Sequence, residues 1–445
     1  MKILLVKPSP DKKSINLQSF MMCEPLELEY LSALLETDGH QTDIVDMVLE
    51  KSFKKIVKKG NYDVIMFTAY QIHIGVVKKY AKQVKEINKN TLVMVGGVHA
   101  EVVPQDFVND NIDLILQNGM YRLLEILKDY KNGVKVDQLV KKASSSHLLT
   151  FNFPHPNRDK TKKYRKHYNY IYHDDCATIK TSFSCKYNCE FCFCTRVGEY
   201  FERDILDVVE ELSSIKENNI FIVDDNFLYN KDRIIKFCNL LDEYKIKKTF
   251  IAFGRADFIV NNEDIVKLLS EHGFDAFFVG IESFKLDELN SFNKKVTVET
   301  NKKAIRILEK YDVQCYSGLI VGMDWDKKDF DSLIDYLNSF EHPMVNIQPI
   351  TPIKGTPFYE KEKDKIIEKE TNYHYFDMAH LVMQPTKLSK RKFYYNILRA
   401  YLKTVAAKKG RKYIVERYGK KVYNRVKKGA FKIALQYIKL IIKPN

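Results

Sequence analysis

The chain contains 445 residues, 45% of them hydrophobic, so it can bury the cores of two or three domains. Its opening apolar run stops at Lys7 and Pro8, too soon for a secretory signal, and no run of about 18 apolar residues could span a membrane. We therefore expect a cytoplasmic protein. The net charge of +14 is uneven, because residues 387–445 hold 19 Lys and Arg against one acid, which leaves about −4 on the rest.

Residues 1–130 alternate short apolar segments with amphipathic ones. Strands are predicted at residues 2–6, 41–46, 62–68, 92–97 and 112–117, and segments with helical periodicity, such as 74–87, lie between them. Strands that alternate with helices in this way pair in parallel. The sequence therefore predicts a doubly wound parallel sheet of about five strands.

Ligands of such sheets bind beyond the carboxyl ends of the strands. The candidate contacts are Thr68, Ala69 and Tyr70 after the third strand, Gly96 and Gly97 after the fourth, and Gly119 after the fifth. Adjacent glycines permit a flat or bulky ligand to approach the backbone, although a simple turn explains them equally well.

Residues 131–175 read as a linker, because they combine Ser, Pro and charged runs without periodicity. From 176 to 360, strands are predicted at 177–182, 220–226, 249–253, 276–283, 313–322 and 345–349. Six strand-helix units form a partial parallel barrel, whose sites lie at the carboxyl ends of the strands. The predicted class is thus α/β: a doubly wound sheet over 1–130, a linker, a partial (β/α)6 barrel, and a basic helical region over 361–445.

Three cysteines, Cys185, Cys189 and Cys192, follow the first barrel strand at spacings of four and three. Three thiolates in one short loop can bind three irons of a four-iron cluster and leave the fourth iron open. Zinc is the alternative, but it needs a fourth ligand at typical spacing. The remaining cysteines form no disulfide framework, and Cys194 is interpreted as a bystander, with a catalytic or protective role as the alternative.

The pattern Cys185-x-x-x-Cys189-x-Phe191-Cys192 resembles the cluster loop of radical S-adenosylmethionine enzymes. The resemblance implies a four-iron four-sulfur cluster, with Phe191 beside it, whose open iron is chelated by the amino group and carboxylate of S-adenosylmethionine. It also implies reductive cleavage of that molecule to a 5′-deoxyadenosyl radical, with flavodoxin or ferredoxin as the electron donor.

Later barrel strands end in motifs that match the same family in order. The residues expected to contact S-adenosylmethionine are Asp224, Asp225, Arg255, Glu282, Gly318, Ile320 and Gly322. By resemblance, the Asp pair meets the ammonium group or the substrate, Arg255 meets the carboxylate, and the glycine motif lies on the adenine side. Trp325 stands where that motif usually has Glu. A helix cap or a surface ion pair is the alternative role for Asp224 or Glu282.

The stretch from Val95 to Ala100 resembles the cobalamin-binding domain that precedes the barrel in one branch of this family. The candidate contacts after the third, fourth and fifth strands are therefore expected to bind cobalamin. The motif Asp-x-His-x-x-Gly, whose His is the lower cobalt ligand in other cobalamin proteins, is absent after the first strand. His73 and His99 are the nearby histidines, and Tyr70 is a candidate cap for the cobalt face. A domain that no longer binds the cofactor is the alternative.

The tail from residue 388 is basic, with apolar residues at helical spacing. Such a helix suits the surface of an anionic membrane. A solvated cap over the barrel and a contact with nucleic acid are the alternatives. The tail also hints at a lipid-like substrate.

Together these features predict methyl transfer to an unactivated carbon of a small or lipid-like molecule, because members of this branch mostly transfer methyl groups by way of methylcobalamin. A radical cyclase or an oxidative rearrangement enzyme is the alternative within the family. A cobalamin or redox sensor, or a nucleic-acid-binding iron–sulfur protein, is the alternative outside the enzyme class.

Overall fold

The computed structural model of the chain describes residues 1–117, 119–134, 138–140, 151–405 and 408–444. The chain divides into two compact units. The first consists of Met1–Ser14, Glu24–Arg165 and Lys369–Asp377, and the second of Ile15–Cys23, Lys166–Glu368 and Met378–Asn445. Residues 135–137 and 141–150 of the predicted linker lie outside the described ranges.

The elements up to residue 140 are β1 Lys2–Lys7, β2 Met21–Met22, α1 Leu26–Thr37, β3 Gln41–Asp46, α2 Phe53–Gly60, β4 Val64–Thr68, α3 Ile74–Ile87, β5 Leu92–Gly96, α4 Val98–Val102, β6 Leu114–Leu116, α5 Gly119–Lys131 and β7 Leu139–Val140. Those that follow are β8 Asn169–Tyr170, β9 His173–Asp174, β10 Cys176–Ile179, β11 Ser182–Phe183, α6 Cys194–Val197, β12 Phe201–Glu202, α7 Ile205–Ser214, β13 Asn219–Ile222, α8 Lys231–Glu243, β14 Thr249–Gly254, α9 Ala256–Asn261, α10 Glu263–Glu271, β15 Phe274–Glu282, α11 Leu286–Ser291, α12 Val298–Lys310, β16 Gln314–Val321, α13 Lys327–Asn338, β17 Met344–Pro349, α14 Pro357–Glu362, α15 Lys390–Lys403 and α16 Lys408–Ile442. Short 3-10 helices cover Gln71–His73, Pro104–Phe107, Arg158–His167, Lys363–Lys365 and Tyr373–Tyr375.

The first unit is built on a parallel sheet with the strand order β3-β1-β4-β5-β6-β7. Side chains alternate along a strand, so Ile3 and Leu5 pack on one face with α1 and α5, while Leu4 and Val6 pack on the other with α2 and α3. Both faces are buried, which explains why these strands are continuous apolar runs. All their carboxyl ends lie at one edge of the sheet.

The second unit contains a parallel sheet with the order β10-β13-β14-β15-β16-β17. The surrounding helices begin at polar residues whose side chains accept a hydrogen bond from a backbone N–H of the first turn: Asp204 for α7, Asn230 for α8 and Thr297 for α12. One face of the sheet packs against these helices in a large apolar core.

The basic tail also belongs to the second unit, as α15 and α16. Ile414, Val422 and Val426 of α16 are buried against the other face of the barrel sheet, beside strand residues such as Ile251 and Tyr316. The first half of α16 therefore covers the barrel sheet, as the cap interpretation of the tail expects. In the described part of the chain, no helix is long and apolar enough to cross a membrane.

The predicted fold class is confirmed, because both sheets are parallel and every predicted strand is present. The sequence missed β7 and the two-residue strands β2, β8, β9, β11 and β12. Two residues are too few to produce a period, so these strands leave no pattern in the sequence. The segment 223–226, predicted as the end of a strand, instead forms a loop beyond β13.

Candidate active site

The cysteine loop connects β11 to β12, which pair antiparallel and close it into a hairpin. Phe183 and Phe201, one from each strand, stack with ring centroids 4.5 Å apart. Ser184 begins the loop with a left-handed φ of 60°, and its hydroxyl donates to the Cys194 carbonyl at 3.1 Å. Both ends of the loop are therefore fixed on the carboxyl side of β10.

The three cysteines are free thiols and electrostatic neighbours of one another. Burial raises the pKa of Cys185 and Cys189, although Lys294 and Arg255 favour the thiolate of Cys189, and a hydrogen bond with Cys194 lowers the pKa of Cys192. Within the described ranges, no three His, Cys, Asp or Glu side chains surround one metal-ion position. Cluster thiolates bind separate irons, so the donor set fits a four-iron cluster with three protein ligands.

Backbone contacts from distant elements brace the loop between the cysteines. The Glu190 N–H donates to the Phe292 carbonyl at 3.2 Å, and the Phe358 N–H donates to the Glu190 carbonyl at 3.0 Å. Asn293 Nδ2 donates to the Asn188 carbonyl at 2.9 Å. Phe191, the predicted cofactor contact, packs edge-on against Phe292 with centroids 5.6 Å apart, so its ring helps to anchor the loop.

Arg255 joins the cysteine loop to the end of β14. Its guanidinium lies 3.7 Å from the ring centroid of Tyr187, a loop residue, and its Nε and Nη2 donate to Asp257 at 3.0 Å. Nη2 also donates to the Lys294 carbonyl at 2.8 Å. A guanidinium with these partners is held rigidly, with its charge directed at the loop.

Glu282 ends β15 in a left-handed conformation with a φ of 59°, where the register with β16 shifts. Its carboxylate Oε1 accepts from Lys294 Nζ at 2.7 Å, and both side chains are about nine-tenths buried. Gly280 makes room for this pair, since a Cβ there would lie 2.3 Å from Glu282 Oε1 and 2.7 Å from Lys294 Nζ. A strained residue and a buried ion pair at a strand end are typical of a functional position.

The two predicted acidic residues after β13 have different surroundings. Asp224 is buried and accepts hydrogen bonds from the Thr181 N–H, the Thr181 hydroxyl and the Ser182 hydroxyl at 2.5–2.8 Å. Asp225 is partly exposed, and its Oδ1 accepts from Cys194 Sγ at 3.2 Å. Asp224 therefore orients the strand that enters the cysteine loop, whereas Asp225 faces the loop itself.

The predicted adenine-side motif lies along β16. Gly318 pairs with Gly280 and Asn346, and a Cβ on Gly318 would meet the ring of Phe278 at 3.0 Å. Ile320 and Gly322 follow on the same strand and the turn after it.

Trp325, which stands at the usual Glu position of that motif, is fully buried and donates from Nε1 to Glu288 at 2.5 Å. Glu288 also accepts from the Ser283 hydroxyl, next to Glu282. Sequence reasoning missed Lys294 and Glu288. Lys294 lies in an Asn-Lys-Lys tract that reads as a solvated surface, so no local signal in the sequence pairs it with Glu282.

At the carboxyl edge of the first sheet, two predicted segments are joined. The Ala69 N–H donates to the Gly96 carbonyl at 3.1 Å, and the His99 N–H donates to the Ala69 carbonyl at 3.0 Å. Gly97 has a φ of 91°, and a Cβ there would lie 2.6 Å from Thr68 Oγ1, whereas a Cβ on Gly96 would meet nothing within 4 Å. The structure thus groups Thr68, Ala69, Gly96 and Gly97 around open space, which suits a broad ligand.

Tyr70 and Gly119, also predicted there, have other surroundings. Tyr70 is half exposed, and Gly119 is the first residue of α5. Each of the two nearby histidines has one ring nitrogen in a polar contact. His73 Nδ1 accepts from the Tyr70 N–H at 3.1 Å, burial lowers the pKa of His73 to about 4, and the neutral ring therefore carries its proton on Nε2. His99 Nε2 is 2.9 Å from Asp106. The His99 ring is buried, at 4% exposed, and lies edge-on to Phe107.

The chain matches two known domains. Residues 179–337 match the radical SAM superfamily and residues 14–136 match the B12 binding domain, so together the two cover more than half of the chain. The hopanoid C-3 methylase of Methylococcus capsulatus is 28% identical over 410 residues, with 88% of this chain and 78% of the methylase aligned. The anaerobic magnesium-protoporphyrin IX monomethyl ester cyclase of Cereibacter sphaeroides is 22% identical, with 85% of this chain and 66% of the cyclase aligned.

Among solved structures, the fold is similar to OxsB, a cobalamin-dependent S-adenosylmethionine radical enzyme determined with aqua-cobalamin and S-adenosylmethionine bound. The TM-score is 0.69 at 15% identity, over 100% of this chain and 73% of OxsB. The B12 binding domain match contains β3 to β6 of the first sheet, and the radical SAM match contains β13 to β16 of the second. The two matches imply a four-iron four-sulfur cluster, S-adenosylmethionine and cobalamin as cofactors. The family predicted from the cysteine loop is confirmed, and the chain belongs to the radical S-adenosylmethionine enzymes that carry a B12-binding domain.

Proposed function

We propose that this chain transfers a methyl group to an unactivated carbon of a lipid-like substrate. The observation that carries the proposal is the combination of a cysteine loop braced beside the Glu282–Lys294 pair with a glycine-lined sheet edge in a separate unit. When bound at the cysteine loop, the iron–sulfur cluster would supply the electron that splits S-adenosylmethionine. When bound at the glycine-lined edge, cobalamin would carry the methyl group. The similarity to a hopanoid methylase over most of both chains supports an apolar substrate.

The protein's own groups divide the work at the cysteine loop. Cys185, Cys189 and Cys192 are the cluster ligands. Lys294 and Arg255 place two positive charges near Cys189, which offsets the negative charge that three thiolates and sulfides gather in one place.

Glu282 and Lys294 offer one group of each sign to a cofactor that itself carries an ammonium and a carboxylate. The buried ion pair is positioned to exchange its internal bond for bonds to S-adenosylmethionine. Asp225 faces the loop and is proposed to contact the ammonium group or the substrate, while Gly318, Ile320 and Gly322 leave a flat strand surface for adenine.

In the first unit, Thr68, Ala69, Gly96 and Gly97 are proposed to support cobalamin, with Tyr70 and Gly119 at the margin of the site. Because His73 Nε2 carries a proton and the His99 ring is buried, the cofactor would be held through shape and backbone contacts rather than by an imidazole ligand. A flavodoxin or a ferredoxin is the proposed electron donor.

A radical cyclase is the second candidate, because the magnesium-protoporphyrin cyclase aligns with 85% of this chain. The two functions differ in what happens to the methyl group. Methyl transfer adds one CH₂ to the product and converts a second S-adenosylmethionine to S-adenosylhomocysteine, whereas ring closure does neither.

The test is anaerobic turnover of the reconstituted protein with dithionite and S-adenosylmethionine that carries a deuterated methyl group, in the presence of an apolar cell extract. We expect 5′-deoxyadenosine, S-adenosylhomocysteine and a lipid with a deuterated methyl group, all measured by mass spectrometry. 5′-Deoxyadenosine with an unlabelled, cyclised product would favour the cyclase. A protein loaded with iron and cobalt that yields no 5′-deoxyadenosine would contradict both candidates.

A further inference from the structure

The second half of α16 has two apolar faces, of which the protein covers only one. Gly419, with a φ of 86°, breaks the helix, and the part after it packs inward through residues such as Tyr437, which is 3% exposed. The core of the second unit also takes up Ile433, Leu440 and Ile441. This inward face accounts for the attachment of the helix to the barrel.

The opposite face carries a stripe of four exposed apolar side chains: Phe431, Leu435, Ile438 and Ile442, which are 64%, 42%, 42% and 69% exposed. At 3.6 residues per turn, their spacings of four, three and four place them within about 60° of one another around the helix. A solvent-facing stripe of this size on a helix that is already anchored by its other face is unusual for a surface exposed only to water.

Unpaired lysines flank this stripe. Five lysines lie around it: Lys427, Lys428, Lys432, Lys439 and Lys443. Among the described residues none of the five forms an ion pair, whereas Lys421, one turn earlier, pairs with Asp174 at 3.8 Å. The sequence contains no acidic residue after Glu416. The charged side chains that α16 itself places beside the stripe are therefore all positive.

We propose that this face of α16 docks the protein on an anionic lipid bilayer, with the apolar stripe inserted at the boundary between headgroups and acyl chains and the lysines on the phosphates. Apolar side chains ringed by lysines are complementary to a surface that presents acyl chains below a layer of negative charge. Nucleic acid would use the lysines but leaves the stripe unexplained. A second copy of the chain would cover the stripe but would bring like charges together.

The proposal is independent of the reaction. It would hold the barrel of the second unit at the surface in which a lipid-like substrate is dissolved.

The experiment is co-sedimentation of the full chain with vesicles of phosphatidylcholine alone or mixed with phosphatidylglycerol, at physiological ionic strength. We expect binding to the anionic vesicles only. Two variants separate the contributions: Phe431→Gln, Leu435→Gln, Ile438→Gln and Ile442→Gln remove the stripe, and Lys428→Gln, Lys432→Gln, Lys439→Gln and Lys443→Gln remove the charge. Each should weaken binding by at least about 100-fold.

Matched controls carry the same numbers of changes elsewhere. Lys54→Gln, Lys58→Gln, Lys59→Gln and Lys82→Gln alter the net charge equally, and Val108→Gln, Leu206→Gln, Leu286→Gln and Ile367→Gln remove exposed apolar side chains. Both controls should bind vesicles as the unaltered chain does. All replaced side chains are exposed, and circular dichroism checks that each variant is folded.

A single reporter gives a second measurement. Phe431→Trp should shift its emission to the blue on anionic vesicles, and the chain's one native tryptophan, Trp325, is fully buried and should not respond. The proposal is overturned if the unaltered chain ignores anionic vesicles. It is also overturned if only the lysine variant loses binding while a polynucleotide binds tightly, or if the stripe variant changes the oligomeric state without lipid.

Discussion

The two parallel sheets of this protein present different chemistry at their carboxyl edges. In the second unit the edge is made of long charged side chains that are bonded to one another, namely Glu282 to Lys294 and Arg255 to Asp257. In the first unit the positions after β4 and β5 are small, with Thr68 beside Gly96 and Gly97 and the two loops joined by their backbones. Its charged pair, Lys7 with Asp46 at 3.0 Å, lies at the ends of β1 and β3.

The difference follows from the ligands that the two domains bind in this family. S-Adenosylmethionine is small and carries charges of both signs, so its pocket needs charged partners at defined positions. Cobalamin is broad, and its ring is best accommodated by a surface from which side chains are absent. The barrel edge is therefore built from charge, and the first edge leaves space at the ends of β4 and β5.

Charge alone does not identify a site, as the opposite edge of the barrel sheet shows. There Asp275 accepts from Arg417 at 2.7 Å and from the Tyr418 hydroxyl at 2.8 Å, and lies 2.8 Å from His173. Burial by itself would raise the pKa of Asp275, but the bonds from His173 and Arg417 lower it well below its usual value. This cluster fastens α16 to the sheet, which is a structural task.

The largest effect should come from Cys189→Ala, which removes one of the three proposed cluster ligands. We expect loss of bound iron and a fall of at least about 1000-fold in 5′-deoxyadenosine formation, because a cluster with two protein thiolates is not retained. Iron analysis and product quantification after anaerobic reconstitution measure both effects. Cys238→Ala is the matched control, since Cys238 is buried in α8 and should cost about 1 kcal/mol of stability without loss of iron. Iron retained in the Cys189 variant would contradict the ligand assignment.

Replacing Asp275, the partly buried acid at the structural edge, should destabilise the protein rather than inactivate it. Asp275→Ala removes the acceptor shared by Arg417, Tyr418 and His173 and leaves Arg417 only its contact with Asp312, so we expect the free energy of unfolding to fall by about 3 kcal/mol at pH 7. Denaturant titration measures this value. Asp264→Asn, at an exposed pair with Lys231, should change it by less than about 0.5 kcal/mol.

The same variant has a distinct pH dependence. Because the folded-state pKa of Asp275 is lowered, its contribution is complete above the unfolded value of about 3.9 and is lost as the pH falls through the folded value. The gap in stability between the unaltered chain and Asp275→Ala should therefore narrow as the pH is lowered below about 4. A gap that is constant down to pH 2 would show that the carboxylate charge does not act there.

At the charged functional edge, Lys294→Met should lower kcat/KM for S-adenosylmethionine cleavage by about 100-fold, because it leaves the Glu282 carboxylate buried without its partner. The double variant with Glu282→Gln distinguishes function from packing. Removing both charges should restore most of the thermal stability. If the pair binds the cofactor, the activity stays low in the double variant, and if the pair is only structural, the activity returns with the stability.

The sequence predicted the fold because buried parallel strands are apolar runs separated by helical periods, and both signals are local. The assignment of three cysteines as cluster ligands stays a prediction, and it could be made from the sequence because three cysteines in one loop are a local pattern. The sequence could not show that Asp224 accepts hydrogen bonds from Thr181 and Ser182, or that Lys294 pairs with Glu282. Those contacts depend on where strands and helices bring side chains together.

The tail was ambiguous for a related reason. A helix that is apolar on two sides gives no sign in its periodicity of which side the protein covers. The structure shows Tyr437 turned inward and Phe431 outward, so the helix has one apolar face that packs on the protein and a second that is exposed.

The smallest expected effect tests whether cobalamin binds in the open space beside Gly96 in the first unit. Gly97→Ala is strained at its φ of 91° and would clash with Thr68, so it should lower stability as well as cobalamin binding. Gly96→Ala meets nothing within 4 Å in the protein alone and should leave the melting temperature unchanged. If a corrin ring lies over Gly96, the added methyl group should still raise the Kd for hydroxocobalamin about fivefold, measured by absorbance titration, since a few tenths of an ångström of overlap cost about 1 kcal/mol. An unchanged Kd for Gly96→Ala would mean that the space above this glycine is not where the cofactor binds.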